Sequence, residues 1–145
     1  MKTDLMQQLV APTPFVKDSD ALRAGLGREW LITNGRGGYA SGTVVGIPTR
    51  KYHGLLVAAA RPPLHRWLLL AATLDKVGVS GRQYEMASFQ FERTIHPRGY
   101  EYQTDFAYSL DPDCPWVRFV YAQDGATLVK EIALPRDRDE VVIRY

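Results

Sequence analysis

The sequence predicts an all-β fold, an antiparallel β-sandwich, on three observations. From Glu29 onward, short apolar runs rich in β-branched and aromatic residues are divided by glycine or proline at about eight- to twelve-residue spacing, the signature of strands. Tyr100, Tyr102, Thr104, Phe106, Tyr108 and Leu110 alternate with Glu101, Gln103, Asp105 and Ser109, and a period of two is strand geometry. Asp124-Gly125 stands between two alternating runs and supplies the left-handed dihedrals of a tight hairpin.

Taken in order, residues 1–28 form an N-terminal extension with short helical or irregular structure. Leu5, Met6 and Leu9 lie at helical spacing before Ala-Pro-Thr-Pro denies continuation. A second short helix is expected over Ser19–Ala24, capped by Ser19 and ended by Gly25. The sandwich then spans residues 29–145. Its predicted strands are Trp30–Thr33, Ser41–Ile47, Gly54–Ala60, Arg66–Val77, Gln83–Phe91, Tyr100–Leu110, Trp116–Gln123, Ala126–Leu134 and Glu140–Tyr145. Trp67–Leu74 does not alternate, so it is expected to be a central strand covered on both faces. Tyr84 and Met86 sit on even positions but Phe89 and Phe91 on odd ones, which predicts a bulge near Ser88. The closing run Val141–Tyr145 has neither turn nor polar tail, so the sandwich is expected to be incomplete and cut at its C-terminal end.

Composition narrows the function classes. Eighteen basic residues against sixteen acidic ones leave a net charge of +2, scattered along the chain, which argues against a nucleic-acid partner. The longest apolar run is far shorter than the roughly 20 residues that cross a bilayer, so no membrane association is expected. A single cysteine, Cys114, forms no internal disulfide and points to a reducing, cytoplasmic setting. His53, His65 and His96 stand at no metal-ligand spacing, so neither metal nor cofactor is expected, and no carboxylate pair identifies a catalyst. Arg98, Arg136, Arg138 and Lys130 are read as solvated edge or loop charges.

The unusual stretch is Glu29-Trp-Leu-Ile-Thr-Asn-Gly-Arg-Gly-Gly-Tyr-Ala-Ser-Gly-Thr followed by Gly46-Ile-Pro-Thr-Arg-Lys-Tyr-His-Gly54. Gly35-Arg-Gly-Gly-Tyr-Ala40 matches a loose dinucleotide pattern, but Ala40–Pro48 cannot supply the helix whose N-terminus would face a pyrophosphate. In the plain structural alternative, Asn34-Gly35 is a turn and Gly37-Gly38 a bulge. The accompanying side chains, Trp30, Asn34, Arg36, Tyr39, Arg50, Tyr52 and His53, instead suit a sugar: aromatic faces stack on its rings while Arg, Asn and His bond its hydroxyls.

These two blocks, together with His96-Pro-Arg-Gly-Tyr100 and Val141-Val-Ile-Arg-Tyr145, resemble in the same order the N-terminal domain of the bacterial and archaeal type of glycogen debranching enzyme, over about residues 29–145. The resemblance implies a supersandwich-like β-domain standing before a helical (α/α) barrel, an amylo-α-1,6-glucosidase parent whose carboxylates lie in that barrel, and a chain that is inactive alone. It implies an α-glucan such as glycogen or maltooligosaccharide as ligand and the barrel, in cis or in trans, as partner. A purely structural interdomain module with no sugar contact is the alternative. The free sheet edge adds an expected homo-oligomer.

Overall fold

The computed structural model describes residues 14–62 and 64–145; the helix expected around Leu5–Leu9 lies outside them. Its one α-helix among these residues, α1, spans Ser19–Leu26. The cap is Asp18 rather than Ser19: the Asp18 carboxylate accepts the Ala21 amide at 2.8 Å, a charged acceptor in place of a hydroxyl. Gly25, expected past the helix end, lies inside it, at a place where a Cβ would come within 2.3 Å of Val45 Cγ1. That close approach lets α1 cover a small apolar cluster of Val45, Ile47 and Tyr100.

Two four-stranded antiparallel sheets form the body. The first runs β1 (Glu29–Thr33), β2 (Tyr39–Thr43), β3 (Gly54–Arg61) and β4 (Leu64–Leu70) in that order. The second is ordered β12 (Val142–Arg144), β11 (Ala126–Ala133), β10 (Trp116–Gln123) and β9 (Gln103–Ser109). Two small hairpins link them: β5 (Lys76–Val79) with β6 (Arg82–Glu85), and β7 (Ser88–Gln90) with β8 (Ile95–Arg98). The inner faces meet in one core where Trp30, Ile32, Ala40 and Leu56 pack with Val117, Phe119, Ile132 and Leu134. Trp30 lies edge-on to Phe119 at 6.4 Å between ring centroids. The all-β sandwich is therefore the observed fold. Asp124 and Gly125 both take positive φ, and the β10–β11 ladder pairs Gln123 with Ala126 across them, the predicted hairpin.

Several expectations fail, each for a physical reason. Trp67–Leu74 is not the central strand: β4 is the edge of its sheet, and Trp67 is 63% exposed. Loss of alternation means both faces share one environment, which a doubly bare edge satisfies as well as a doubly covered centre. The chain then leaves the sheet at Leu70, so Arg66–Val77 is not one strand. The apolar slip near Ser88 coincides with a change of sheet, β6 ending at Glu85 and β7 starting at Ser88, and the β7–β8 register also shifts between Ser88 and Gln90, where the bulge was expected. Gly99, just after β8, sits so near the Met86 backbone that a Cβ would be 2.0 Å from its carbonyl oxygen.

The second expected strand stops at Thr43, whose hydroxyl donates to the Ile47 carbonyl at 2.7 Å and turns the chain, with Gly46 at φ +69°. The run beginning at Tyr100 opens as a 3-10 turn over Gly99–Tyr102. Gln103, which the alternation sets among the polar positions, is fully buried, its amide donating to the Val44 carbonyl at 2.8 Å, whereas Tyr108 on the edge strand β9 and Leu110 just beyond it are exposed.

Candidate functional site

The glycine-rich loop and the tyrosine-histidine segment come together. Tyr39, the first residue of β2, donates its hydroxyl to the Tyr52 carbonyl at 3.0 Å, and Ser41 Oγ reaches the same oxygen at 3.4 Å. Alternation along β2 sets Ala40 into the core and Tyr39 and Ser41 on the opposite face. Arg66 on β4 reaches across that face, donating to the Gly37 carbonyl at 2.8 Å with its guanidinium 5.9 Å from the Tyr39 ring. The result is an outward surface bearing Tyr39, Tyr52, Arg50 and Lys51. Tyr52 is 63% exposed, with Lys51 Nζ 5.0 Å from its ring centre.

Two of the seven predicted residues serve the scaffold. Trp30 is buried, its indole N–H donating to the Thr43 carbonyl at 3.0 Å. Asn34 is fully buried and spends both ends of its amide on the chain. Its oxygen accepts the Arg36 and Gly38 amides at 2.9 and 3.0 Å, and its nitrogen donates to the Arg138 carbonyl at 2.8 Å and Asp139 Oδ1 at 3.2 Å. Its own carbonyl accepts the Asp137 amide at 2.8 Å. Asn34 thus binds the loop to the segment before β12, and Arg36 follows by donating to the Asp137 carbonyl at 3.3 Å. Arg136 and Arg138, read from sequence as solvated charges, have exposed side chains; the Arg138 carbonyl belongs to this clamp, whereas the Arg136 amide donates to the Asp113 carbonyl at 2.8 Å.

His53 is buried as well. Its Nδ1 accepts the Thr49 amide at 3.1 Å, so the ring proton belongs on Nε2, which lies 3.8 Å from Glu29 Oε1. Glu29 also pairs with Arg50, whose hydrogen bond is the main reason its carboxyl titrates below the ordinary range. Burial holds the His53 imidazole below its ordinary 6.5, with Glu29 working the other way and Arg50 adding to the depression. The unfolded chain therefore binds this proton first. Stability from His53 is complete above the ordinary imidazole pKa and declines as pH falls beneath it. In urea titrations between about pH 5 and 7, the stability of His53→Gln is expected to vary less with pH than wild type; parallel curves would contradict the assignment.

Glu29 and Arg66 were not singled out by sequence. Glu29 stood in the quoted motif but only its pairing marks it, and Arg66 stood at the start of the predicted strand Arg66–Val77 with no role assigned. Beneath the surface lies a cavity of about 60 Å³ whose walls include Trp30, His53, Thr73, Asp75, Tyr121 and Lys130. That is well below the roughly 300 Å³ at which ligand pockets begin. Lys130 is only 8% exposed and pairs with Asp75, contrary to its reading as a solvated charge. Among the described residues no group of histidine, cysteine and carboxylate side chains could hold a metal, and no helix is long and apolar enough to cross a membrane.

A family model described as glycogen debranching enzyme N terminal matches residues 28–145. No curated protein and no solved structure matches the chain.

Proposed function

The chain belongs to the family of glycogen debranching enzyme N-terminal domains, and from that premise we propose that it is a non-catalytic, cytoplasmic α-glucan-binding domain that docks against a helical-barrel hydrolase domain. The observation that carries this reading is the Tyr39 hydroxyl on the Tyr52 carbonyl, which joins two sequence-distant segments into one aromatic and cationic surface. On that surface Tyr52 and Tyr39 stack against glucose rings, while Arg50 and Arg36 bond hydroxyls. His53 holds the Thr49 turn that presents Arg50 and Tyr52, and Trp30 and Asn34 fix the loop from inside. The chemistry of bond cleavage belongs to the barrel, so this chain releases no glucose from a branched dextrin.

Maltooligosaccharide binding by calorimetry tests the reading. Tyr52→Ala is expected to weaken it about tenfold, roughly 1.4 kcal/mol, with little change in stability because the ring is exposed. Equal affinity of variant and wild type would reject a sugar-binding role for this surface.

A further inference from the structure

His53 closes the turn before β3 twice over. Its backbone amide donates to the Arg50 carbonyl at 3.0 Å, and its ring Nδ1 accepts the Thr49 amide at 3.1 Å, so one residue ties residues 49–53 from both ends. The His53 side chain is 4% exposed, whereas Arg50 and Tyr52 reach outward from the same turn. A buried ring thus fixes the backbone of an exposed segment.

Imidazole changes charge nearest neutral pH, and only its neutral form keeps a ring nitrogen that can accept a hydrogen bond. Once both nitrogens carry protons, the Nδ1 proton points at the Thr49 N–H and two donors face each other. The Nε2 proton lies 3.8 Å from Glu29 Oε1, so the imidazolium is drawn to the carboxylate that pairs with Arg50. Protonation therefore removes the acceptor of the turn and makes His53 a competitor for the partner of Arg50. The ring also lines the cavity shared with Asp75, from the segment after β4, and Lys130 of β11; these two pair with each other, leaving Glu29 and Arg50 as the charges that act on His53.

We propose that His53 is a proton-operated latch on the 49–53 turn, closed while the imidazole is neutral and opened when it is protonated, which sets the pH range in which Arg50 and Tyr52 are held for ligand. Its effect on ligand rests on the sugar-binding reading above; the release of the turn does not. Burial keeps the ring neutral to below its ordinary 6.5, so the latch opens on the acid side of that value.

Nuclear magnetic resonance on the full chain between about pH 7.5 and 5 tests it. The His53 ring is expected to titrate with a midpoint below 6.5, and over the same range the Thr49 amide protection factor to fall about three- to tenfold, the worth of one hydrogen bond, while β10 and β11 keep theirs. In His53→Asn an amide oxygen replaces Nδ1 as acceptor and takes no proton in this range, so Thr49 protection should be independent of pH. Glu29→Gln keeps the ring and removes the charge that favours its protonated form, so the ring midpoint and the loss of Thr49 protection should move together to lower pH. Maltooligosaccharide affinity is expected to fall by a similar factor toward acid in wild type and to stay level in His53→Asn. Absence of maltooligosaccharide binding at every pH rejects the ligand half of the proposal together with the sugar-binding reading, while the Thr49 amide decides the latch itself. Thr49 protection that is unchanged as His53 titrates, equal acid loss in wild type and His53→Asn, or a ring that stays neutral until the whole fold unfolds overturns the proposal.

Discussion

Replacing Lys130 with methionine is expected to destabilise the fold by about 3 kcal/mol, a large fraction of the roughly 5 to 15 kcal/mol that holds a domain of this size together. Lys130 projects from β11 into the inner end of the sandwich, and its ammonium meets Asp75 with side-chain exposures of only 10% and 12%. Asp75 is a junction. One carboxylate oxygen takes Lys130 and the Thr73 hydroxyl, the other accepts the Tyr145 hydroxyl at 2.6 Å, and its backbone carbonyl accepts the Met86 amide at 2.8 Å. These bonds tie the segment after β4 to the second sheet and to the last residue of the chain.

Burial by itself raises the Asp75 carboxyl, yet hydrogen bonds from Lys130, Tyr145 and Thr73 and the lysine charge outweigh it, leaving the group below its ordinary 3.8. Its contribution is therefore intact above that value and disappears as pH falls beneath it. Lys130→Met leaves a buried carboxylate without its cation. The double variant Lys130→Met with Asp75→Leu is expected to recover most of the lost stability, because replacing both charges removes both desolvation costs. Urea midpoints of the three proteins decide it; a single variant within about 0.5 kcal/mol of wild type would show that the pair contributes nothing.

Asn34→Ala is expected to cost about 2 to 3 kcal/mol and to loosen the whole Gly35–Gly38 loop. The loss leaves the buried Gly38 amide and its neighbours without their acceptor, and each buried polar group so stranded costs about 1 to 3 kcal/mol. Asp at this position keeps the acceptor but faces Asp139 at the place where the amide nitrogen now donates, so it is expected to be no better than Ala at neutral pH. Amide hydrogen exchange reads the effect locally: Arg36 and Gly38 should lose protection while β10 and β11 keep theirs. A direct sugar-binding role for Asn34 predicts the opposite, weakened ligand affinity with unchanged exchange.

Much of the fold was legible from local chemistry. Period-two alternation gave β10 and β11, the Asp124-Gly125 pair gave their turn, and clustered glycines with Tyr39 and Tyr52 marked segments that the structure brings into contact. These signals work because they reside within a few residues of one another. Helix capping was partly readable: the Asp18 carboxylate displaces the Ser19 hydroxyl at the start, and the helix runs past Gly25 to end at Leu26.

The sequence by itself determined that this chain is a β-sandwich of the debranching-enzyme N-terminal family and which loop carries its polar and aromatic concentration. Only the tertiary structure decided which of those side chains face outward and which are consumed inside. Asn34 is bound to a segment about a hundred residues away, Lys130 is drawn inward by Asp75, and the most apolar run becomes a bare edge. The reason is physical: burial and pairing depend on what arrives from distant parts of the chain, whereas pattern and turn chemistry act between neighbours. A run such as Trp67–Leu70 states that its two faces are alike, and only its place at the end of the sheet says that both are exposed.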